Sequence, residues 1–144
     1  MSDGRVLGRT VAAHCLALRS RRAARIVTNI YEEALRPLGL STARHALLAA
    51  ISGWPGVRAS QLSASMDLDK STLSRNLRRM AEHGLVRIEE APGHGQRLFL
   101  LPAGTELLKR AHPAWQAAQV QAEQALGAVA EALLARFPDP TDPR

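Results

Sequence analysis

The apolar residues of this chain change their period at a single glycine, Gly84, and few folds accommodate such a change. Upstream, Leu73, Leu77 and Met80 recur at spacings of four and three, the repeat of one helix face. Downstream, Leu85 to Glu89 and Arg97 to Leu101 are strand-like runs separated by the Gly-rich segment 90 to 96, which reads as a β-hairpin. His83 and Gly84 close the helix, because glycine adopts the left-handed conformation of a helix end without a Cβ penalty. Asp69 can cap its start. Between cap and glycine, the positions off the apolar face are Lys70, Ser71, Thr72, Ser74, Arg75, Asn76, Arg78 and Arg79. Hydroxyls, an amide and cations bond phosphates and read base edges, and an α-helix fits the major groove. The segment therefore reads as a recognition helix.

Its surroundings support that reading. Ala59 to Met66 forms a short helix with Ser60 as its expected cap and Leu62 and Met66 on its inner side, and Asp67 and Leu68 make the turn. Two short helices joined by a tight turn, the second basic outside, make a helix-turn-helix, although this turn lacks the common glycine. Ser60 and Gln61 at the front of the first helix join the candidate DNA contacts. A hairpin after a recognition helix is a wing, and its residues His94, Gln96 and Arg97 are placed to meet a minor groove or a phosphate.

The flanks are helical. Residues 1 to 5 read as frayed, and from Val6 the apolar stripe through Leu7, Val11, Cys15, Leu18, Ile26, Val27 and Ile30 to Leu35 reads as one long helix ended by Pro37 and Gly39. Its length implies burial against a second copy of the chain. Ser41 or Thr42 caps a further helix that stops before Gly53, Pro55 and Gly56. From Ala103 a helix kinked at Pro113 runs to about 126, and another covers about 128 to 136. The Ala- and Gln-rich composition there suits close helix packing and self-association. The expected fold is mainly α with a small β-hairpin wing, an α+β winged helix-turn-helix with long terminal dimerisation helices. One domain spans 1–144, with the DNA-binding lobe at 41–101, dimerisation helices at 6–36 and 103–136, and a disordered tail at 138–144.

The net charge of +6 favours a polyanionic partner. One cysteine excludes an intramolecular disulfide framework, and no run is apolar enough to span a bilayer, so the expected location is the cytoplasm, on the nucleoid when DNA is bound.

In order and spacing, three motifs resemble the MarR family of bacterial transcriptional regulators. They are Arg36-Pro37-Leu38-Gly39-Leu40-Ser41; Gln61-Leu62-Ser63 with Met66-Asp67-Leu68-Asp69-Lys70-Ser71-Thr72-Leu73-Ser74-Arg75; and Met80-Ala81-Glu82-His83-Gly84-Leu85-Val86. The resemblance covers about residues 10 to 136. It implies a homodimer on a pseudo-palindromic double-stranded operator, more often a repressor, released by a small aromatic effector or by cysteine oxidation. On the matching positions it points to Ser71, Thr72, Ser74, Arg75, Asn76, Arg78 and Arg79 as DNA contacts, Arg75 foremost. The wing departs from the family pattern, with Ile88 and a Gly-His-Gly-Gln segment where an arginine and an Asp-Arg pair are usual, and Pro102 in place of a capping threonine.

Other groups have competing readings. Cys15 beside His14 is a candidate thiol or metal sensor, but adjacent helix residues diverge, the histidines lack ligand spacing, and a lone cysteine on an apolar stripe is most often a packed hydrophobe. Tyr31, His45 and Trp115 are candidates to line an effector pocket; the plain alternative makes Trp115 dimer core and Tyr31 a boundary residue. No catalytic constellation, metal site or cofactor motif is present, so an enzyme is not expected. The alternatives to a DNA-binding regulator are a metal- or thiol-responsive DNA-binding sensor using Cys15, and a winged-helix interaction module that does not read DNA.

Overall fold

A computed structural model describes residues 3–144; Met1 and Ser2, within the segment read as frayed, lie outside the described residues. Helix α1 covers Gly4–His14 and α2 covers Leu16–Leu35, followed by a 3-10 turn at Arg36–Leu38 and by α3 at Thr42–Gly53. Strand β1 is Val57–Arg58, α4 is Ala59–Ser65, and α5 is Lys70–Glu82. The hairpin strands β2 and β3 are Val86–Ala91 and Gly95–Leu100, and α6 (Pro102–Leu126) and α7 (Ala128–Arg136) complete the chain. No helix among the described residues is long and apolar enough to cross a membrane.

The core gathers the inner faces of α3, α4 and α5 with the wing. Leu47, Leu48, Ile51, Leu62, Leu77 and Leu98 have no exposed surface or almost none, and Leu73 and Met80 lie beside them. The helical spacing upstream of Gly84 thus buries one face of α5 while leaving the opposite face in solvent. Gly84 has φ +69°, and the amide of Leu85 bonds the carbonyl of Met80 at 2.9 Å, which closes α5 and turns the chain into β2. Ser41 caps α3 by accepting from the amide of Arg44 at 3.2 Å. Pro102 occupies the first turn of α6, where its missing N–H costs nothing, and the helix continues through Pro113 to Leu126.

Four expectations are corrected. The amino-terminal helix is broken at Cys15, whose backbone is extended (φ −71°, ψ 112°). No residue of α1 is buried, so no tertiary packing holds it in line with α2, and the Arg19 guanidinium donates to the freed carbonyl of Ala12 at 3.2 Å. Second, Ser60 does not cap α4; Arg58 holds that position, and its amide donates to Gln61 Oε1 at 3.0 Å. Third, the hairpin is longer than its sequence pattern, because Glu90 pairs with Gln96 and Ala91 with Gly95, which leaves only residues 92 to 94 as the tip. Last, β1 is a third strand, in the order β1-β3-β2, with Val57 opposite Leu98 and Arg58 opposite Arg97.

Beyond α7 the chain is not helical. It turns at Asp139 to Thr141 and ends with the Arg144 guanidinium 4.9 Å from the centre of the Trp54 ring. Large apolar side chains on α1, α2, α6 and α7 have no core partner, among them Val11, Leu16 (78% exposed), Ile26, Val120 and Leu134 (69% exposed).

Candidate nucleic-acid interface

The turn between α4 and α5 works without glycine. Asp67 takes the left-handed conformation at φ 51°, a region that Asp tolerates better than most residues. The Ser63 hydroxyl donates to Leu68 O at 2.7 Å and the Leu68 amide donates to Ser63 O at 3.1 Å, so Leu68 is tied to α4 through both its amide and its carbonyl.

Asp69 then organises the front of α5. Its carboxylate accepts from the Thr72 amide at 2.8 Å, from Ser71 Oγ at 2.7 Å and from Thr72 Oγ1 at 2.7 Å. These three bonds, those of the two hydroxyls first, hold its pKa far below the usual carboxylate range. Ser71 and Thr72 therefore spend their hydroxyl protons on Asp69 and present lone pairs outward. One Thr72 lone pair receives Arg75 Nη2 at 3.4 Å, and the Thr72 carbonyl receives Asn76 Nδ2 at 3.1 Å. A chain of contacts thus runs from Asp69 through Thr72 to Arg75.

Arg75, Arg78 and Arg79 are exposed, and with Thr72 and Asn76 they line an open concavity of about 390 Å³. A second groove of about 180 Å³ lies between α4, α5 and β3, where Ser60, Ser63, Lys70, Ser74 and Gln96 surround Leu73 and Leu77. The structure therefore brings Ser60, Lys70, Ser74 and Gln96 to one groove, contiguous with the arginine face. Gln61 is partly occupied by its bond to the Arg58 amide. In the wing, Gln96 Nε2 donates to Glu90 Oε1 at 2.7 Å, and Arg87 pairs with Glu89 while lying over the Phe99 ring at 4.5 Å from its centre. His94 is exposed at the tip and Arg97 is exposed on β3.

Of the weaker candidates, His45 and Trp115 share His112 as a neighbour, while Cys15 stands apart. The Tyr31 hydroxyl donates to Gln119 Oε1, joining α2 to α6, and its pKa is raised by burial and then by the negative charge of Glu123. Trp115 stacks on His112 with ring centres 5.6 Å apart. His45 is pushed below its ordinary value of 6.5 by burial and then by the charge of His112. Cys15 is half-buried at the break between α1 and α2. Among the described residues no group of three or more His, Cys, Asp or Glu is arranged to hold a metal ion.

The His45 shift has a sign that can be checked. Because the folded pKa lies below 6.5, the unfolded chain binds that proton first, and stability falls as pH drops from about 6.5 until folded His45 also titrates. Urea midpoints measured between about pH 7.5 and 5 should decline, and His45→Gln should flatten the decline. Parallel curves for the two proteins would remove His45 as the cause.

Arg58 is the polar residue at this face that sequence patterns do not single out. A two-residue strand carries no periodicity, and its neighbours Pro55 and Gly56 read as a loop.

The MarR family profile matches residues 38–97, from the end of the 3-10 turn into the second strand of the wing. The crystal structure of the M. tuberculosis transcriptional regulator MosR is 34% identical, covers 79% of this chain and 84% of that chain, and superposes with a TM-score of 0.71. A structure of MosR with DNA, also 34% identical, covers 85% of this chain and 94% of that chain at a TM-score of 0.69. A MarR family transcriptional regulator from Silicibacter pomeroyi is 30% identical over 81% of each chain, with a TM-score of 0.65. No curated protein matches the sequence. With the winged helix-turn-helix in place and relatives at 30% identity or more over most of their length, the chain belongs to the MarR family of transcriptional regulators.

Proposed function

We propose that this protein is a homodimeric, sequence-specific regulator of transcription that places two copies of α5 in successive major grooves of a pseudo-palindromic operator, acting as a repressor released by a small aromatic ligand. The observation that carries the DNA-binding part is the solvent face of α5. Its exposed cations Lys70, Arg75, Arg78 and Arg79 stand without a carboxylate within ion-pair distance among the described residues, beside Asn76 and the Asp69-anchored hydroxyls. Cations left unpaired on a helix of groove width are suited to phosphates and base edges. That the 34% identical MosR has been solved with DNA supports the same use of this face.

Dimerisation is supported by the unpartnered apolar residues of α1, α2, α6 and α7, which a second copy would cover by burying both chain ends together. Ligand release would act as a shift between dimers whose α5 helices match the groove spacing and dimers whose helices do not. Tyr31 on α2 and Trp115 on α6, the helices that join the DNA-binding lobe to the chain ends, with His45 on α3 of the lobe, remain the proposed lining for such a ligand.

The test is selection of duplexes from the source genome on the purified protein, followed by anisotropy titration of retained fragments. Binding should be specific, should fall steeply with salt as counterions are released, and should require the dimer seen by light scattering. Salicylate or a related aromatic acid should weaken it and change Trp fluorescence. Retention of no fragment over background would remove the DNA-binding reading, and a flat response to a panel of aromatic acids would remove the ligand.

A further inference from the structure

We infer that Arg58 and Arg97 form a two-arginine clamp for one phosphate of bound DNA, at the junction of α4 with the wing; the inference rests on the DNA-binding reading above. Strand β1 lies at the sheet edge, and its pairing with β3 sets Arg58 directly opposite Arg97. Opposed residues on antiparallel strands project from the same face with Cβ atoms about 5 Å apart, and like charges so placed repel. Among the described residues no carboxylate lies within ion-pair distance of either guanidinium. Glu89, the neighbour of Arg97 across β2, is taken by Arg87. The edge therefore carries two adjacent positive charges, and the one carboxylate that faces them, Glu89, is shared with Arg87.

Neither arginine is explained by the fold. Arg58 sits at the N-cap of α4, where Ser, Thr, Asp or Asn would accept from a helix amide, and a guanidinium has no lone pair to offer. The bond at that end is made by Gln61 to the backbone of Arg58, not by the arginine side chain. Arg97 Nη1 lies 3.9 Å from the point a β carbon on Gly56 would occupy, which lays its guanidinium along the chain entering β1. Both side chains are exposed, so drawing them to an anion carries a small desolvation cost.

Their position fits the ligand. Ser60, two residues beyond Arg58, lines the groove that Lys70 and Ser74 of α5 share, while Arg97 projects from the face of β3 opposite to Gln96 and meets Arg58 at the sheet edge. The pair thus stands at the sheet edge where α4 begins, beside the groove and not within it. A phosphodiester, with two oxygens bearing one charge, matches two guanidinium forks and relieves their mutual repulsion.

The test compares wild type with Arg58→Gln, Arg58→Lys and Arg97→Gln, using a retained genomic duplex and an unrelated duplex across a salt series. Arg58→Gln should weaken both duplexes by the same factor and lower the slope of log K against log salt by about 1, while Arg58→Lys keeps most of the slope. Arg97→Gln should behave as Arg58→Gln does. Without DNA, Arg58→Gln should melt at or above the wild-type temperature at low salt, since it removes a repulsion. If wild type binds and Arg58→Gln matches it in affinity and slope, the clamp is overturned and the DNA reading stands. A loss confined to the genomic duplex, or a lowered melting temperature, would likewise overturn it by making Arg58 a base reader or a structural residue. Stabilisation of wild type by millimolar inorganic phosphate with unchanged DNA binding by Arg58→Gln would assign the pair to a free anion. Wild type that binds neither duplex at low salt would overturn the DNA reading and the clamp together.

Discussion

Alanine at Gly104 is expected to destabilise the protein by about 1–3 kcal/mol, the usual cost of forcing a methyl group into a packed site. The added carbon would lie 2.2 Å from the carbonyl oxygen of Leu85 and 3.0 Å from Leu100 Cγ and Cδ1. Leu100 can shift its side chain, but the Leu85 carbonyl cannot readily move. It accepts from the Leu101 amide at 2.9 Å, and it lies on the turn whose preceding residue, Gly84, holds φ +69°. Relief therefore requires α6 to move away from the end of α5. Equilibrium urea unfolding would read the loss, with Gly8→Ala as the contrast. Gly8 has nothing within 4 Å of its Cβ position, so alanine there should leave stability unchanged or raise it by up to about 1 kcal/mol through helix propensity. Equal midpoints for Gly104→Ala and wild type would show that the contact is softer than its distances imply.

Arg75→Ala is expected to cost about 1–3 kcal/mol of affinity for the specific duplex, the range for a side chain that reads a base edge. Its guanidinium is exposed and is held within the protein by one long bond to Thr72 Oγ1, 3.4 Å, so the folded state loses little when it is removed. Melting temperature should stay within error of wild type while specific affinity drops. Binding to an unrelated duplex should fall much less, which separates this residue from Arg58, whose removal should weaken both equally. Anisotropy titrations on the two duplexes at one salt concentration decide it. Unchanged affinity for the specific duplex would withdraw Arg75 from the reading surface.

The segment from Asp69 to Gly84 is legible in the sequence because each of its determinants is local. Cap, apolar spacing and terminal glycine act within a few residues of one another, and the structure places all three as their chemistry requires. Strand β1 is not legible, since it exists through pairing with residues about 40 positions away and is too short to alternate. The break at Cys15 likewise has no proline or glycine to announce it, and the stripe through α1 and α2 is regular even though α1 buries nothing. At α4 the preference for a hydroxyl cap favours Ser60, but Gln61 satisfies the helix start from inside and the cap position falls two residues earlier, at Arg58. The motifs locate the polar face, but which of its side chains meets a base depends on the duplex, and no periodicity encodes that.

The hydroxyls held by Asp69 have a bearing on the thermodynamics of recognition. Ser71 and Thr72 arrive at any partner with their rotamers already chosen, and Thr72 passes part of that order to Arg75. Side-chain freedom that would otherwise be lost on association is lost on folding instead, so less of the contact energy is spent on ordering the surface. Such a helix end should discriminate between duplexes by rejecting geometries that do not match a rigid template, with a smaller unfavourable binding entropy than a surface whose hydroxyls were free to turn.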